Sequence, residues 1–483
     1  MNALRFSFRL ACARFHRSKG VISLDVFSVT SYAVSTWILT TIVSGTLMFV
    51  YRVNNPPEQL AKLVAEPTAP TQAVHDALTS FTSIYVILAA FACALVVAPI
   101  FSLAAGAARV GAQSKQQRFS ALRLVGMTSR EVTSIALVES LIQACIGIFI
   151  GLVIYGISIP VWSTMSFQTM RIRPHEMALN WQSYLAVGAT IIIISILATL
   201  TGLSRVKISP LGVSRRATPP AVRVTRLIVF IAAVIAFPLL ARFVLGLPHE
   251  TFAAVMFVGV VLAVLIGVFL LFYYYVGAWM VQQVGRMSAQ TRSVPRLLAA
   301  RRIVDDPKTT WRTQAALGII VVIIVLTLLS GVFDAAAPES SSQSIRTLNA
   351  LWRHDILQGE AITIAIALIL LAFSTLSSQA SSLFDNETQT RCLAIMGIER
   401  STMTKTRLYQ LVIPLVFTIV LGLISASVVS LPFLSIGLRP ALTAQVWVMI
   451  GVAAVGIALC ISAVFLLIPL EKTLYSEHSR KND

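Results

Sequence analysis

Strongly apolar stretches of about 20 residues recur along the whole chain, and each is long enough to cross a hydrocarbon core of roughly 30 Å. A backbone facing lipid must satisfy its own hydrogen bonds, so these stretches read as helices. The short alternating segments of a membrane β-barrel are absent from the pattern. Composition agrees: 57% of the 483 residues are hydrophobic, 12% are charged and the mean hydropathy is +0.82. A soluble domain carries about 25% charged residues, too many for a chain of this kind to be counted among them. The expected fold class is an all-α polytopic membrane protein.

Ten spans are expected: Val29–Tyr51, Thr82–Ala105, Val132–Ile159, Ser183–Leu203, Leu227–Leu247, Phe252–Val276, Thr313–Phe333, Ala361–Phe384, Leu408–Phe433 and Val446–Leu470. An even number places both termini on one side. The segments before span 1 and after spans 2, 4, 6, 8 and 10 hold 30 of the 38 Lys and Arg residues. The opposite loops hold seven, namely Arg52, Lys62, Arg171, Arg173, Arg346, Arg353 and Arg439. Basic residues favour cytoplasmic loops, so this bias makes both termini cytoplasmic and explains the net charge of +18 without nucleic acid. The polar, basic N-terminus through Lys19 does not read as a cleaved signal peptide. Arg242, near the outer end of span 5, is expected to snorkel to the interface.

The outer loops Arg52–Phe81, Pro160–Gln182 and Asp334–Glu360 are too short to bury cores of their own. Cys12, Cys93, Cys145, Cys392 and Cys460 fall in spans or cytoplasmic segments, where neither disulfides nor a metal site is expected. Tyr273, Tyr274, Tyr275 and Trp279 read as an interfacial aromatic belt, and Pro99, Pro238 and Pro414 as kink positions.

An internal duplication organises the chain. Ser120–Arg130 after span 2 aligns with Arg391–Ser401 after span 8 at an offset of 271 positions. That offset pairs Leu122 with Leu393, Leu124 with Ile395 and Gly126 with Gly397. It also pairs Leu137 with Leu408, Glu139 with Gln410 and Gly151 with Gly422. A second echo relates Leu10–Arg14 to Leu298–Arg302, and Pro210-Leu211 to Pro469-Leu470. The plan is four spans, two linking spans and four spans again, arranged in parallel as in transporter-type membrane folds. The expected units are 1–226, 227–285 and 286–483.

The repeated element carries apolar residues on a basic background, then a glycine suited to a sharp turn, then Thr128 or Ser129 as a helix cap. It reads as a short cytoplasmic helix bent against a membrane helix, presented twice. Two copies of an apolar knob on one face suit a two-fold partner. The candidate docking residues are Leu122, Arg123, Leu124, Gly126, Met127 and Arg130 in the first copy, and Leu393, Ile395, Gly397 and Ile398 in the second. Glu139 reads as the only acidic residue well within a span, and Gln410 is its counterpart; both are intramembrane polar candidates with a structural role expected for Glu139.

Ala121–Gly151 resembles the core motif of FtsX-like permeases, the membrane subunits of type VII ABC transporters. Ile208–Arg215 is similar to the Pro-containing tail that follows the fourth span in that family. The second copy departs at Ile398-Glu399-Arg400, at Gln410 and at Pro414. The ten-span plan is similar to that of BceB-like permeases, without the large extracellular domain those carry between spans 7 and 8. The four-span MacB plan does not fit.

The resemblance implies a bacterial cytoplasmic (inner) membrane permease of two four-helix FtsX-like repeats. It implies a cytoplasmic ABC ATPase bound as two copies, with ATP and Mg on that partner. The lack of a polar cavity signature or a binding-protein dock in the sequence makes export of an amphipathic or hydrophobic substrate such as a peptide, lipid, haem or drug the expected activity. The alternative is a relay without transport, toward a sensor kinase or an extracytoplasmic protein. A membrane-embedded enzyme or secondary carrier would need paired intramembrane charges, which are nearly absent from the sequence. No phosphate-binding loop, metal-ligand spacing or nucleophile–base pair is legible in the chain, so no enzymatic centre or cofactor of its own is expected.

Overall fold

A computed structural model of the chain describes residues 19–57, scattered positions from 60 to 107, 126–204, 225–245, 252–311 with 313 and 314, 343–385, scattered positions from 389 to 393, 395–430 and 441–468. Ten helices and one hairpin occupy these residues. They are α1 (Lys19–Asn54), α2 (Ser129–Trp162), β1 (Ser166–Phe167), β2 (Met170–Arg171), α3 (Pro174–Met177), α4 (Trp181–Ser204) and α5 (Thr225–Leu245). The chain continues through α6 (Phe252–Ser288), α7 (Val294–Asp305), α8 (Gln343–Asp385), α9 (Arg400–Ser430) and α10 (Ala441–Leu466). Helical positions also occur between Thr82 and Ala107, and at 307–311 with 313 and 314. Among the described residues, five stretches are long and apolar enough to cross a membrane: Asp25–Asn54, Arg130–Trp162, Trp181–Leu200, Ala350–Leu383 and Ser401–Ser425. The protein is an α-helical, multi-pass membrane protein.

Every expected span except the second and seventh falls on one of these helices. The second is described only at separate positions, and the seventh lies outside the described residues beyond Gln314. Pro160, Pro238 and Pro414 each lie inside a continuous helix. Arg242 is exposed in the last turn of α5, as a snorkelling side chain requires.

The first bundle is α1, α2 and α4. Lipid tails are as apolar as leucine, so helices in a membrane associate through close backbone approach and polar contacts instead. Both devices are present. Gly147 and Gly151, one turn apart on α2, face α1 so closely that an added Cβ would lie 2.5 Å from the Tyr32 Cβ and 2.5 Å from the Ala33 carbonyl oxygen. Around this contact the Tyr32 hydroxyl meets Ser195 Oγ at 2.9 Å, and Ser140 Oγ meets Ser195 Oγ at 2.7 Å. Thr199 donates to Ser140 at 2.9 Å. One hydroxyl cluster thus ties three helices. Thr36, Thr40 and Thr41 on α1 satisfy themselves by donating to carbonyls four residues back.

The second bundle joins α8, α9 and α10 through Ile364, Leu371, Leu411, Leu415, Cys460 and Val464. The linking helices α5 and α6 pack against α9, and α6 also packs along α7. Trp311 lies directly over Gly277 of α6, where an added Cβ would fall 2.0 Å from the indole ring. Tyr273 is 1% exposed and tilted against that indole at a centroid distance of 5.2 Å. Tyr273 therefore does not belong to the expected aromatic belt: its face of α6 is covered by Trp311, which follows α7 in the chain. Tyr275, half exposed, keeps a belt-like position.

The bundles meet along α1 and α8, where Val34, Ile38, Ile100 and Leu103 pack on Ile366 and Leu370. Farther along, Phe27 packs with Ala380, Leu383 and Leu467. The start of α1 and the end of α8 therefore share one end of the molecule, which also holds the start of α2, since Gln143 donates to Asp25 at 2.7 Å. We call this the capped end, and the opposite one, with Asn54, Trp162 and Trp181, the far end.

Three expectations are corrected here. Gln343–Glu360, expected within an outer loop, is helical: α8 has 43 residues, about 65 Å at 1.5 Å per residue, and runs beyond its apolar core. The segment after α2 is not a bare loop but a two-stranded hairpin followed by α3. Glu139 is not the only acidic residue within a span, because Asp25 and Asp355 both lie inside candidate spans and are buried. In each case apolar windows stop where polar residues begin, whereas the helix continues through them.

Candidate coupling site

The duplicated element reappears in the backbone. α2 begins at Ser129 and α9 at Arg400, so the helix starts obey the same offset of 271 as the sequence. Gly126 and Gly397 are the two glycines with positive φ among the described residues, at +102° and +86°. Among the described residues no atom lies within 4 Å of a Cβ added at either one. The glycines are therefore required by backbone conformation and not by close packing.

In the second copy the preceding helical turn ends on Gly397. The Ile398 N–H donates to the Leu393 carbonyl at 3.1 Å, and the Met396 N–H to the Cys392 carbonyl at 3.0 Å. A six-residue closure with glycine in the left-handed position is the Schellman stop. The chain then turns and starts α9 within three residues. In the first copy Thr128 caps α2: its Oγ1 accepts from the Glu131 N–H at 3.3 Å, while the Glu131 carboxylate accepts from the Thr128 N–H at 2.8 Å. This is the reciprocal capping box. Met127 packs on Val132, Ile135 and Ala136, a hydrophobic staple that sets the entry angle.

Ile395 and Met396 are 79% and 72% exposed, large apolar side chains standing on a turn that cannot hide them. Leu393 and Ile398 are half-buried, and Arg130 is exposed. Leu122, Arg123 and Leu124 lie outside the described residues. Glu139 is buried in α2, and Gln410 occupies the corresponding level of α9, half-buried. The adjacent Leu411 carbonyl accepts from Gln314 Nε2 at 3.0 Å. Among the described residues the arrangement offers two glycine corners, 271 positions apart, at the entrances of two membrane helices.

Replacing either glycine by alanine is expected to destabilise its corner by about 1–2 kcal/mol, the cost of left-handed backbone for a residue with a Cβ. Thermal unfolding of the detergent-solubilised protein measures this, and Gly397→Asn is expected to lose less than Gly397→Ala because asparagine tolerates that region.

A second polar assembly, at the far end, was not legible as a site. Arg52, in the last turn of α1, is 2% exposed. Its Nη1 donates to the Phe167 carbonyl at 2.7 Å and its Nη2 to Glu176 Oε2 at 2.7 Å and the Arg171 carbonyl at 3.3 Å. On α8, Asp355 is 3% exposed and its Oδ2 accepts from the Tyr85 hydroxyl and from the Gln168 N–H, both at 2.8 Å. The only sequence signal was a lone arginine ending an apolar helix on the side poor in basic residues, opposite a loop containing Glu176.

Comparison with known proteins bears on the first half. Residues 87–211 match the family described as FtsX-like permease, C-terminal. The matched stretch begins beyond Tyr85 and takes in Gly126, the capped α2, the hairpin, α3 and α4, ending at Leu211. The chain is thus a multi-pass membrane protein in which residues 87–211 are similar to FtsX-like permeases. No curated protein and no solved structure matches it.

Proposed function

We propose that this chain is the membrane-spanning permease subunit of an ABC transporter, working on ATP hydrolysed by a separate cytoplasmic ATPase. The observation that carries the reading is the FtsX-like match over 87–211 joined to the second, equally spaced glycine corner at Gly397. In this reading ten spans form two four-helix repeats, 1–226 and 286–483, with linking spans in 227–285. The chain lies in the bacterial cytoplasmic membrane with both termini inside, as the Lys and Arg distribution favours. One ATPase docks at each corner, two in all, and the ATP and Mg belong to the ATPases. Leu122, Arg123, Leu124, Gly126, Met127 and Arg130 on one side, and Leu393, Ile395, Gly397 and Ile398 on the other, form the coupling surfaces. Glu139 and Gln410 hold the helices above them.

The cargo is an amphipathic or hydrophobic molecule, a peptide, lipid, haem or drug, exported or released from the bilayer. A relay that moves an extracytoplasmic partner or sensor without transport is the second reading, favoured by the polar bridge at the far end. There Asp355 connects the two halves, so motion at the corners has a path outward.

Leu122→Asp combined with Leu393→Asp tests the coupling surfaces. The double variant is expected to lose the ATPase on affinity purification while remaining folded in the membrane. ATPase recovery equal to that of the parent contradicts the assignment. Loss of resistance to a toxic amphiphile on deletion of the chain favours export over relay.

A further inference from the structure

The two halves touch in two different ways. Along α1 and α8 the contact is apolar, through Ile38, Leu103, Ile366 and their neighbours. At the far end it adds a polar contact centred on one carboxylate to the packing of Ile362 on the Phe167 cluster. Asp355, from the second half, accepts from the Tyr85 hydroxyl and the Gln168 backbone N–H, both from the first. Trp352, one turn away on α8, meets the Tyr85 ring edge-on at 5.3 Å.

The piece that Asp355 holds is under strain. Phe167 pairs with Met170, so the hairpin turns on two residues, Gln168 and Thr169. Their φ values are +56° and +70°. A two-residue turn left-handed at both positions is normally filled by Asn-Gly, and a β-branched threonine is poorly suited to it. The Gln168 side chain is fully buried, yet neither its Nε2 nor its Oε1 has a hydrogen-bond partner. A buried carboxamide left in this condition opposes the arrangement that buries it. The closed hairpin is therefore held against two local penalties. Arg52 grips it from within the first half. Across the seam it is held by the bonds on Asp355 and by Ile362 of α8 packed against the Phe167 cluster. Strain kept in place by surrounding contacts is a feature of switch regions.

We propose that Asp355 is the catch of a latch that closes the far ends of the two halves, with the Gln168–Thr169 turn as its spring. Release of Asp355 lets the hairpin relax, frees the Gln168 carboxamide to be hydrated and separates the far ends, while the apolar α1–α8 contact acts as the hinge. The assignment of this opening to the working stroke rests on the transporter reading above. The latch itself does not.

The test uses the full-length permease alone in lipid nanodiscs, without ATPase or nucleotide, so that its failure is separable from failure of the ATPase reading. Spin labels at Thr164→Cys on the first half and Leu357→Cys on α8, in a background with the native cysteines replaced by serine, report the far-end separation by pulsed electron resonance. The parent is expected to give one narrow distance distribution. Asp355→Ala is expected to add a longer population. Tyr85→Phe, which removes one hydrogen bond and keeps the ring, is expected to add a smaller one.

Gln168→Gly removes both the strained side chain and the unpaired carboxamide, so in the Tyr85→Phe background it is expected to restore the narrow distribution. A residue of purely structural importance would not produce that restoration. Distributions for Asp355→Ala and Tyr85→Phe that superimpose on the parent overturn the latch, as does a Gln168→Gly change that opens the seam further. If Asp355→Ala does not fold, the Tyr85→Phe and Gln168→Gly pair decides alone.

Discussion

Gly151→Leu is expected to leave almost no folded protein in the membrane. A Cβ at this position already falls 2.5 Å from the Ala33 carbonyl oxygen and 2.7 Å from the Thr36 Cβ, distances that real contacts do not reach. A leucine therefore has to push α1 and α2 apart. Overpacking of an ordinary core costs about 1–3 kcal/mol. Here the loss is larger, because separating the helices also draws Tyr32 away from Ser195 and opens the hydroxyl cluster to lipid. Gly147→Leu is expected to act the same way. Gly156→Leu is the control: it lies on the same helix, exposed, with no atom within 4 Å of its added Cβ. Monodisperse yield after solubilisation measures all three, and an equal loss for Gly156→Leu would show that helix composition, not close approach, sets the effect.

Arg52→Ala is expected to destabilise the far end by about 3–5 kcal/mol, the range for breaking a buried ion pair from one side. It strips Glu176 of its cation and leaves the Phe167 and Arg171 carbonyls without their donor. Arg52→Lys is expected to recover only part of this, because an ammonium cannot spread donors over acceptors that a planar guanidinium reaches together. Removing both charges in Arg52→Ala with Glu176→Ala is expected to cost less than the sum of the single changes, the mark of a direct coupling. Thermal unfolding in detergent reads each member of the cycle. Additive losses would mean that the pair is not coupled in the folded protein.

The membrane class of this protein was written in its apolar stretches, and the corners were written in the repeat. Gly126 and Gly397 stood out because the offset that aligns their neighbours also aligns them, and both carry the positive φ that a glycine at a sharp turn implies. Thr128 was one of two candidate caps, and the partner Glu131 three residues on completes its capping box.

Gly147 and Gly151 form a small-residue pair at the spacing known for close helix packing. Their partner helix is more than a hundred residues earlier, and nothing in their own neighbourhood names it. Arg52, Asp355 and Gln168 were harder still. Arg52 and Asp355 lie near the ends of apolar stretches and Gln168 in the segment between two of them, so a hydropathy reading assigns all three to loops. Their roles depend on which far-end segments the bundle brings together. Tyr273 was misplaced for a related reason: adjacent tyrosines look alike in sequence, but a helix sends neighbours to different faces, so Tyr273 meets Trp311 while Tyr275 is half exposed.

In the transporter reading proposed above, this chain works on ATP hydrolysed by a separate cytoplasmic ATPase. Affinity purification of the full-length chain from its native membrane, followed by nucleotide hydrolysis in the eluate, tests this most directly. The account predicts a co-purifying ABC ATPase, two copies per permease, whose hydrolysis is altered by the Leu122→Asp and Leu393→Asp changes. A purified, folded chain with no ATPase attached and no nucleotide-dependent activity on adding cytoplasmic extract would contradict it.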